Sequence, residues 1–101
     1  MKFKDNTVVW RDFTPDCWFA IVIAAEIYTK YGIELVITSG KDGKHKDDSL
    51  HYRGNAFDCR TYTLSGEDLP KVANTLKAKL GINYDVVIEK DHIHVEYDKK
   101  I

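Results

Sequence analysis

The chain has 101 residues, 44% of them hydrophobic, which predicts a single globular domain over residues 1–101. With 15 basic and 16 acidic residues the net charge is -1, so the composition gives no indication of nucleic-acid binding. No stretch is apolar for long enough to span a membrane, and we expect a monomer.

The N-terminus begins with polar residues, and the apolar core of a signal peptide does not follow them. We therefore expect the protein to be made in the cytoplasm. The two cysteines, Cys17 and Cys59, are expected to be free thiols, because disulfides are rare in chains without a secretory signal. Both are predicted to be small buried core residues.

A first helix is predicted over residues 14–31. Thr14 is a good N-cap, Pro15 suits the first helical position and Gly32 would end the helix. Apolar residues recur at spacings of three and four and predict one buried stripe. Its members are Trp18, Ile21, Val22, Ala25 and Tyr28.

After this helix we predict a strand over 33–38, a polar loop over 39–50 and a strand over 56–62. A second helix is predicted from Gly66 to Leu80, with Ser65 as its cap. Two further strands, over 84–89 and 92–97, are joined by Lys90 and Asp91. Two helices and four strands that end in a hairpin predict an α+β domain. We expect a mostly antiparallel sheet, with the helices packed on one face and a zinc site on the other.

The zinc prediction comes from two segments, 51–58 and 91–94. His51, Asp58 and His94 would give zinc two imidazoles and one carboxylate, which leaves one open position and is typical of a catalytic site. A water in that position becomes a nucleophile near neutral pH, and the carboxylate of Asp91 is a candidate to accept its proton. The ordinary alternative is four solvated or hydrogen-bonded polar groups on a sheet face.

Strand geometry sets a condition on this site. His92 and His94 are two residues apart and share one face of a strand, so His92 is a candidate to stabilise charge beside the metal. Asp91 would point to the opposite face of a regular strand. It must therefore lie in the turn before the strand, or at a bulge, to reach the same site.

The run from Ser49 to Asp58 resembles the S-x-H-x-x-G-x-A-x-D motif of peptidase family M15, which comprises zinc D-alanyl-D-alanine carboxypeptidases and L-alanyl-D-glutamate endopeptidases and includes phage endolysins. The run Asp91-His-Ile-His94 resembles the second motif of that family. The resemblance implies one Zn²⁺ per chain on His51, Asp58 and His94, with Asp91 as the general base.

The function expected from this resemblance is hydrolysis of short peptide links in bacterial peptidoglycan by a metal-activated water. Asp91 and His92 would be catalytic, and Ser49 and Arg53 are candidates to bind substrate. The enzyme would act at the cell wall after release from the cell, as phage lysins do. Many family members carry an arginine where this chain has Lys41, so an inactive zinc-binding module of the same fold is the alternative.

Overall fold

Helix α1 spans Pro15–Lys30, within one residue of the predicted range at each end. The Thr14 hydroxyl accepts a hydrogen bond from the backbone N–H of Cys17, at 3.2 Å, so Thr14 is the N-cap as predicted. The chain leaves the helix through Gly32, whose φ of +71° lies in the left-handed region that favours glycine.

The computed structural model describes residues 1–40 and 54–101.

The buried face of α1 is rotated relative to the predicted stripe. Ile21 and Tyr28 are buried as expected, but Val22 is 60% exposed, so its place in the stripe was wrong. Small residues occupy the buried face and let the helix lie close to its neighbours, which a search for large apolar residues does not detect. The buried residues are Cys17, Ala20, Ile21, Ala24, Ile27 and Tyr28.

Helix α2 spans Asp68–Leu80 and begins two residues later than predicted. The Ser65 hydroxyl nevertheless accepts a hydrogen bond from the backbone N–H of Asp68, at 3.0 Å. Its apolar stripe of Val72, Leu76 and Leu80 is buried, as predicted.

Five strands form one mixed sheet in the described part of the chain. They are β1 (Lys2–Phe3), β2 (Val36–Ser39), β3 (Ala56–Arg60), β4 (Tyr84–Ile88) and β5 (His92–Tyr97), in the spatial order β1-β2-β3-β5-β4. The β1–β2 pair is parallel and the three other pairs are antiparallel. The mostly antiparallel sheet of an α+β domain is therefore confirmed.

Strand β1 is the element that the sequence did not predict. It has two residues, too few to show alternation, and it forms because Lys2 and Lys4 donate backbone hydrogen bonds to Leu35 and Ile37, at 3.0 and 2.8 Å. Strand β2 begins three residues later than predicted, at Val36.

The two faces of the sheet differ sharply in chemistry. One face packs against both helices through a single core cluster, to which the strands contribute Ile37, Phe57, Cys59, Val86, Ile93 and Val95. Because side chains alternate along a strand, the residues between these lie on the opposite face, which no described helix covers. That face carries Asp58, His92, His94 and Glu96. No helix in residues 1–40 or 54–101 is long and apolar enough to cross a membrane.

Both cysteines are unpaired and buried, as predicted. Cys59 Sγ lies 3.6 Å from the Tyr28 hydroxyl, which donates a hydrogen bond to the backbone carbonyl of Arg60 at 2.9 Å. Burial raises the pKa of both thiols to about 12. They are core residues that stay protonated at neutral pH, and neither is a candidate nucleophile.

Candidate metal centre

Strands β3 and β5 bring the two sequence motifs together. In their antiparallel register Asp58 lies opposite His94, and Arg60 lies opposite His92. Directly opposed residues on one face of such a pair have Cβ atoms about 4.5–5.5 Å apart, so their side chains can touch. Asp58, His92 and His94 therefore lie on one face of the sheet.

Asp58 and His94 are in direct contact. The Asp58 carboxylate Oδ1 lies 2.9 Å from His94 Nδ1. Asp58 is 8% exposed, one of two buried polar residues among those described, and a buried carboxylate requires a partner of this kind. Strands on both sides fix the backbone under both residues, so the contact is set by the sheet rather than by a loop.

A second carboxylate contacts the same imidazole. Glu96 Oε1 lies 2.6 Å from His94 Nε2, so both ring nitrogens of His94 face carboxylate oxygens. Burial by itself would lower the pKa of His94, but hydrogen bonds to Asp58 and Glu96 outweigh that effect and raise the pKa to about 9. Without a metal the ring is therefore a cation at neutral pH, and a bound metal ion would take the place of the proton on one nitrogen.

His92 lies beside this pair without joining it. Its Nε2 is 3.7 Å from Asp58 Oδ2 and 3.7 Å from Glu89 Oε1, distances too long for hydrogen bonds. Its Nδ1 is 2.6 Å from the carboxylate of Asp91. One edge of the ring is thus held by Asp91 while the other faces the Asp58 carboxylate.

Asp91 lies in the turn that precedes β5, which is one of the two placements that the sequence required. Its side chain is 80% exposed, and the hydrogen bond with His92 is the main cause of its lowered pKa. The carboxylate is therefore ionised at neutral pH and able to accept a proton.

Three of the predicted site residues, Ser49, His51 and Arg53, lie outside the described residues, as does Lys41. Gly40 and Gly54 lie on either side of these residues and contact the segment before α1. A Cβ on Gly54, whose φ is +74°, would lie 2.1 Å from the carbonyl oxygen of Asp12. A Cβ on Gly40 would lie 2.3 Å from the carbonyl oxygen of Val9. Both glycines therefore abut the segment before α1 at points where no side chain fits.

Sequence reasoning missed two charged residues on this face, Arg60 and Glu96. Each lies two residues from a proposed ligand, Arg60 after Asp58 and Glu96 after His94, so strand periodicity was the signal that could have found them. The Arg60 guanidinium lies over the Tyr62 ring, 4.8 Å from its centroid. In the strand register Arg60 is the partner of His92.

The donor chemistry of Asp58 and His94 fits a zinc ion. Two ligand atoms of a tetrahedral zinc, each about 2.0–2.2 Å from the ion, are about 3.4 Å apart, so the 2.9 Å between Asp58 Oδ1 and His94 Nδ1 needs only a small adjustment. Carboxylate oxygen and imidazole nitrogen are both common zinc ligands.

A second group of carboxylates, from Asp85, Glu96 and Asp98, also has ligand atoms within 4.8 Å of one another. Lys100 Nζ lies 3.0 Å from Asp85 and 3.9 Å from Asp98. Lys100 already balances part of the charge of this cluster, so the cluster is the weaker of the two candidate metal sites.

Comparison with models of known protein families finds none that matches this chain. Any functional assignment therefore depends on the sequence motifs and on the geometry of this face.

Proposed function

We propose that the protein is a zinc peptidase, similar to those of family M15, that hydrolyses short peptide links of bacterial peptidoglycan. The observation that carries the proposal is the direct contact of Asp58 with His94 across two central strands, beside His92 and Asp91. These four residues come from the two motifs that resemble the family, and the two motifs are far apart in the sequence.

In this proposal His51, Asp58 and His94 would hold one Zn²⁺, which when bound would acidify a water and polarise the scissile carbonyl. Asp58 and His94 contribute a carboxylate and a neutral imidazole, already close together. His51 is the third ligand on the strength of the sequence motif alone.

Asp91 accepts the proton of the attacking water, directly or through His92. The second route is supported by the contact of Asp91 with His92 Nδ1, which leaves Nε2 directed toward Asp58. When that ring is protonated it also stabilises the negative charge that develops on the carbonyl oxygen. Both roles follow from one arrangement, in which Asp91 orients the ring.

Arg60 is proposed to take over part of the role of the arginine that many family members carry upstream. Arg60 lies opposite His92 in the register of β3 and β5, and an arginine forms paired hydrogen bonds with carboxylates. Peptidoglycan stem peptides carry free carboxylates, so Arg60 would bind substrate. Ser49 and Arg53 remain candidates for further substrate contacts.

Incubation of the zinc-loaded protein with purified muropeptides, followed by mass spectrometry, tests this function. We expect loss of a terminal D-alanine or scission between stem-peptide residues, and the mass difference identifies the bond. The Asp91→Ala variant, loaded with the same metal, is the matched control and should form product about 10²–10⁴-fold more slowly. Absence of product from the wild type on every fragment would overturn the proposal.

The alternative function is zinc binding without hydrolysis. The exposed position of Asp91 and the lysine at position 41 favour it. In that case the wild type binds zinc with the same ligands and leaves all muropeptides intact. The proposal that the protein leaves the cell through a lysis pore, as phage enzymes do, belongs to the peptidase function and not to this alternative.

A further inference from the structure

The imidazole of His94 lies between two carboxylates that have different positions relative to the proposed metal. Asp58 contacts Nδ1 at 2.9 Å and Glu96 contacts Nε2 at 2.6 Å. All three side chains are mostly buried, with 11%, 15% and 23% exposed for Asp58, His94 and Glu96. Burial strengthens both contacts, because little water competes for them.

A histidine that binds a metal must present an unprotonated nitrogen to it. A neutral imidazole carries one proton, on either Nδ1 or Nε2. Only the nitrogen without that proton can bind the metal. A carboxylate that accepts the N–H on the far side of the ring fixes the tautomer and the ring orientation.

We infer that Glu96 is a positioning residue that holds the proton of His94 on Nε2 and turns its Nδ1 lone pair toward Asp58. This inference depends on the proposed zinc site, since Asp58 is both the neighbour of Nδ1 and the proposed second ligand. Glu96 itself does not touch the metal.

The sheet explains how Glu96 reaches the far side of the ring. It lies two residues beyond His94 on β5 and therefore on the same face. Its neighbours across the two adjacent strands are Ala56 and Asp85. Ala56 is small and buried, so it leaves room for the Glu96 side chain to fold back to His94.

The carboxylate cluster of Asp85, Glu96 and Asp98 does not explain why Glu96 contacts His94. Asp85 and Asp98 lie beside Lys100, which is 3.0 Å from the Asp85 carboxylate. If charge balance within the cluster governed Glu96, its carboxylate would be directed at that lysine. Its 2.6 Å contact is with His94 Nε2 instead.

Zinc affinity of Glu96→Ala and Glu96→Gln, measured by competition with a chromophoric chelator, tests the inference. The expected loss for Glu96→Ala is about 10–100-fold, the range seen when a residue that orients a metal-bound histidine is removed. Glu96→Gln keeps an acceptor oxygen and should recover part of that loss. Asp85→Asn removes a charge from the same cluster and is the matched control, with affinity near that of the wild type.

Nitrogen-15 spectra of the His94 ring provide a second readout, which a general loss of stability would not change in this way. In metal-free protein, at a pH where the spectra show a neutral ring, the wild type should carry the ring proton on Nε2 and Glu96→Ala should carry it on Nδ1. If the wild type binds no zinc, the proposed function fails, and these spectra still decide the role of Glu96. An unchanged tautomer in Glu96→Ala would refute the inference.

Discussion

Asp58 and His94 lie directly opposite each other on β3 and β5, and their side chains are joined by a contact of 2.9 Å between Oδ1 and Nδ1. The register of two antiparallel strands therefore brings together two of the three proposed zinc ligands. A shift of one residue in that register would turn one of the two side chains into the core. Side chains alternate between the two faces along both strands. Cys59 and Ile93 therefore lie in the core, while Asp58 and His94 meet on the opposite face.

The first prediction concerns the metal ligands. The wild type should bind about one zinc per chain, and His94→Ala or Asp58→Ala should abolish that binding, because each variant removes a ligand. Metal content by elemental analysis after dialysis against zinc provides the measurement. His45→Ala removes a histidine outside both motifs and should retain the metal. Full zinc content in His94→Ala would exclude this residue as a ligand.

The second prediction concerns proton transfer. Asp91→Ala should keep zinc and stability but lose about 10²–10⁴-fold in the rate of muropeptide hydrolysis. Its side chain is exposed, so little packing is lost. Glu89→Ala is the control, since Glu89 also lies near His92 but makes no hydrogen bond with it. A rate near that of the wild type in Asp91→Ala would assign the proton acceptor to another group, with His92 or Glu89 next.

The third prediction concerns Arg60. Arg60→Gln should raise KM or lower kcat/KM by about tenfold or more, since a charge-assisted hydrogen bond to a substrate carboxylate contributes about 1.5–3 kcal/mol. Zinc content should not change. Arg11→Gln is the matched control, because Arg11 also lies over an aromatic ring, that of Trp10, at 6.0 Å. Equal kinetics for the two variants would remove Arg60 from the site.

The fourth prediction concerns Gly54. Gly54→Ala should destabilise the fold by more than the roughly 1–2 kcal/mol that a left-handed backbone costs an ordinary residue, because the new Cβ also meets the Asp12 carbonyl. Two other glycines separate these effects in urea unfolding. Gly81 has a φ of +85° with open space around its Cβ position, and Gly66 has open space without the positive φ. The expected order of destabilisation is Gly54→Ala, then Gly81→Ala, then Gly66→Ala.

The fifth prediction concerns the two buried thiols. Their pKa is raised to about 12 in the fold, above the ordinary thiol value of 9.0. A raised pKa contributes stability below the ordinary value that is lost as pH rises toward 12. The free energy of unfolding should therefore fall above about pH 9, by up to about 1.4 kcal/mol per pH unit for each thiol.

Urea unfolding between pH 8 and 10.5 checks this slope, and Cys17→Ala should reduce it because one thiol remains. Native protein should react slowly with a thiol reagent at pH 8, whereas denatured, unreduced protein should titrate two thiols. A slope unchanged by Cys17→Ala would contradict the assignment.

Much of the fold followed from local pattern. Thr14, Pro15 and Gly32 bound α1 because capping is a property of neighbouring residues, and β5 follows from strict alternation of polar and apolar side chains. The parallel strand β1 did not follow, because two residues have no period and their hydrogen bonds go to residues more than 30 positions away.

Part of the arrangement on this face also followed from the sequence. Strand alternation put His92 and His94 on one face and required Asp91 to lie in a turn or at a bulge, and the structure has both features. Glu96 was missed because its contact with His94 depends on the direction in which a flexible side chain folds back along its own strand. Composition and spacing carry no information about that direction.

The two strands that bear Asp58 and His94 are interior strands of the sheet, each hydrogen bonded on both sides. Backbone hydrogen bonds in such strands commonly break only when the whole domain unfolds, whereas short edge strands and chain ends open far more often. Asp58 and His94 therefore belong to the part of the molecule that stays folded through local fluctuations. In the proposed zinc site, loss of the ion would therefore leave the backbone of both ligands in place for the next ion to bind.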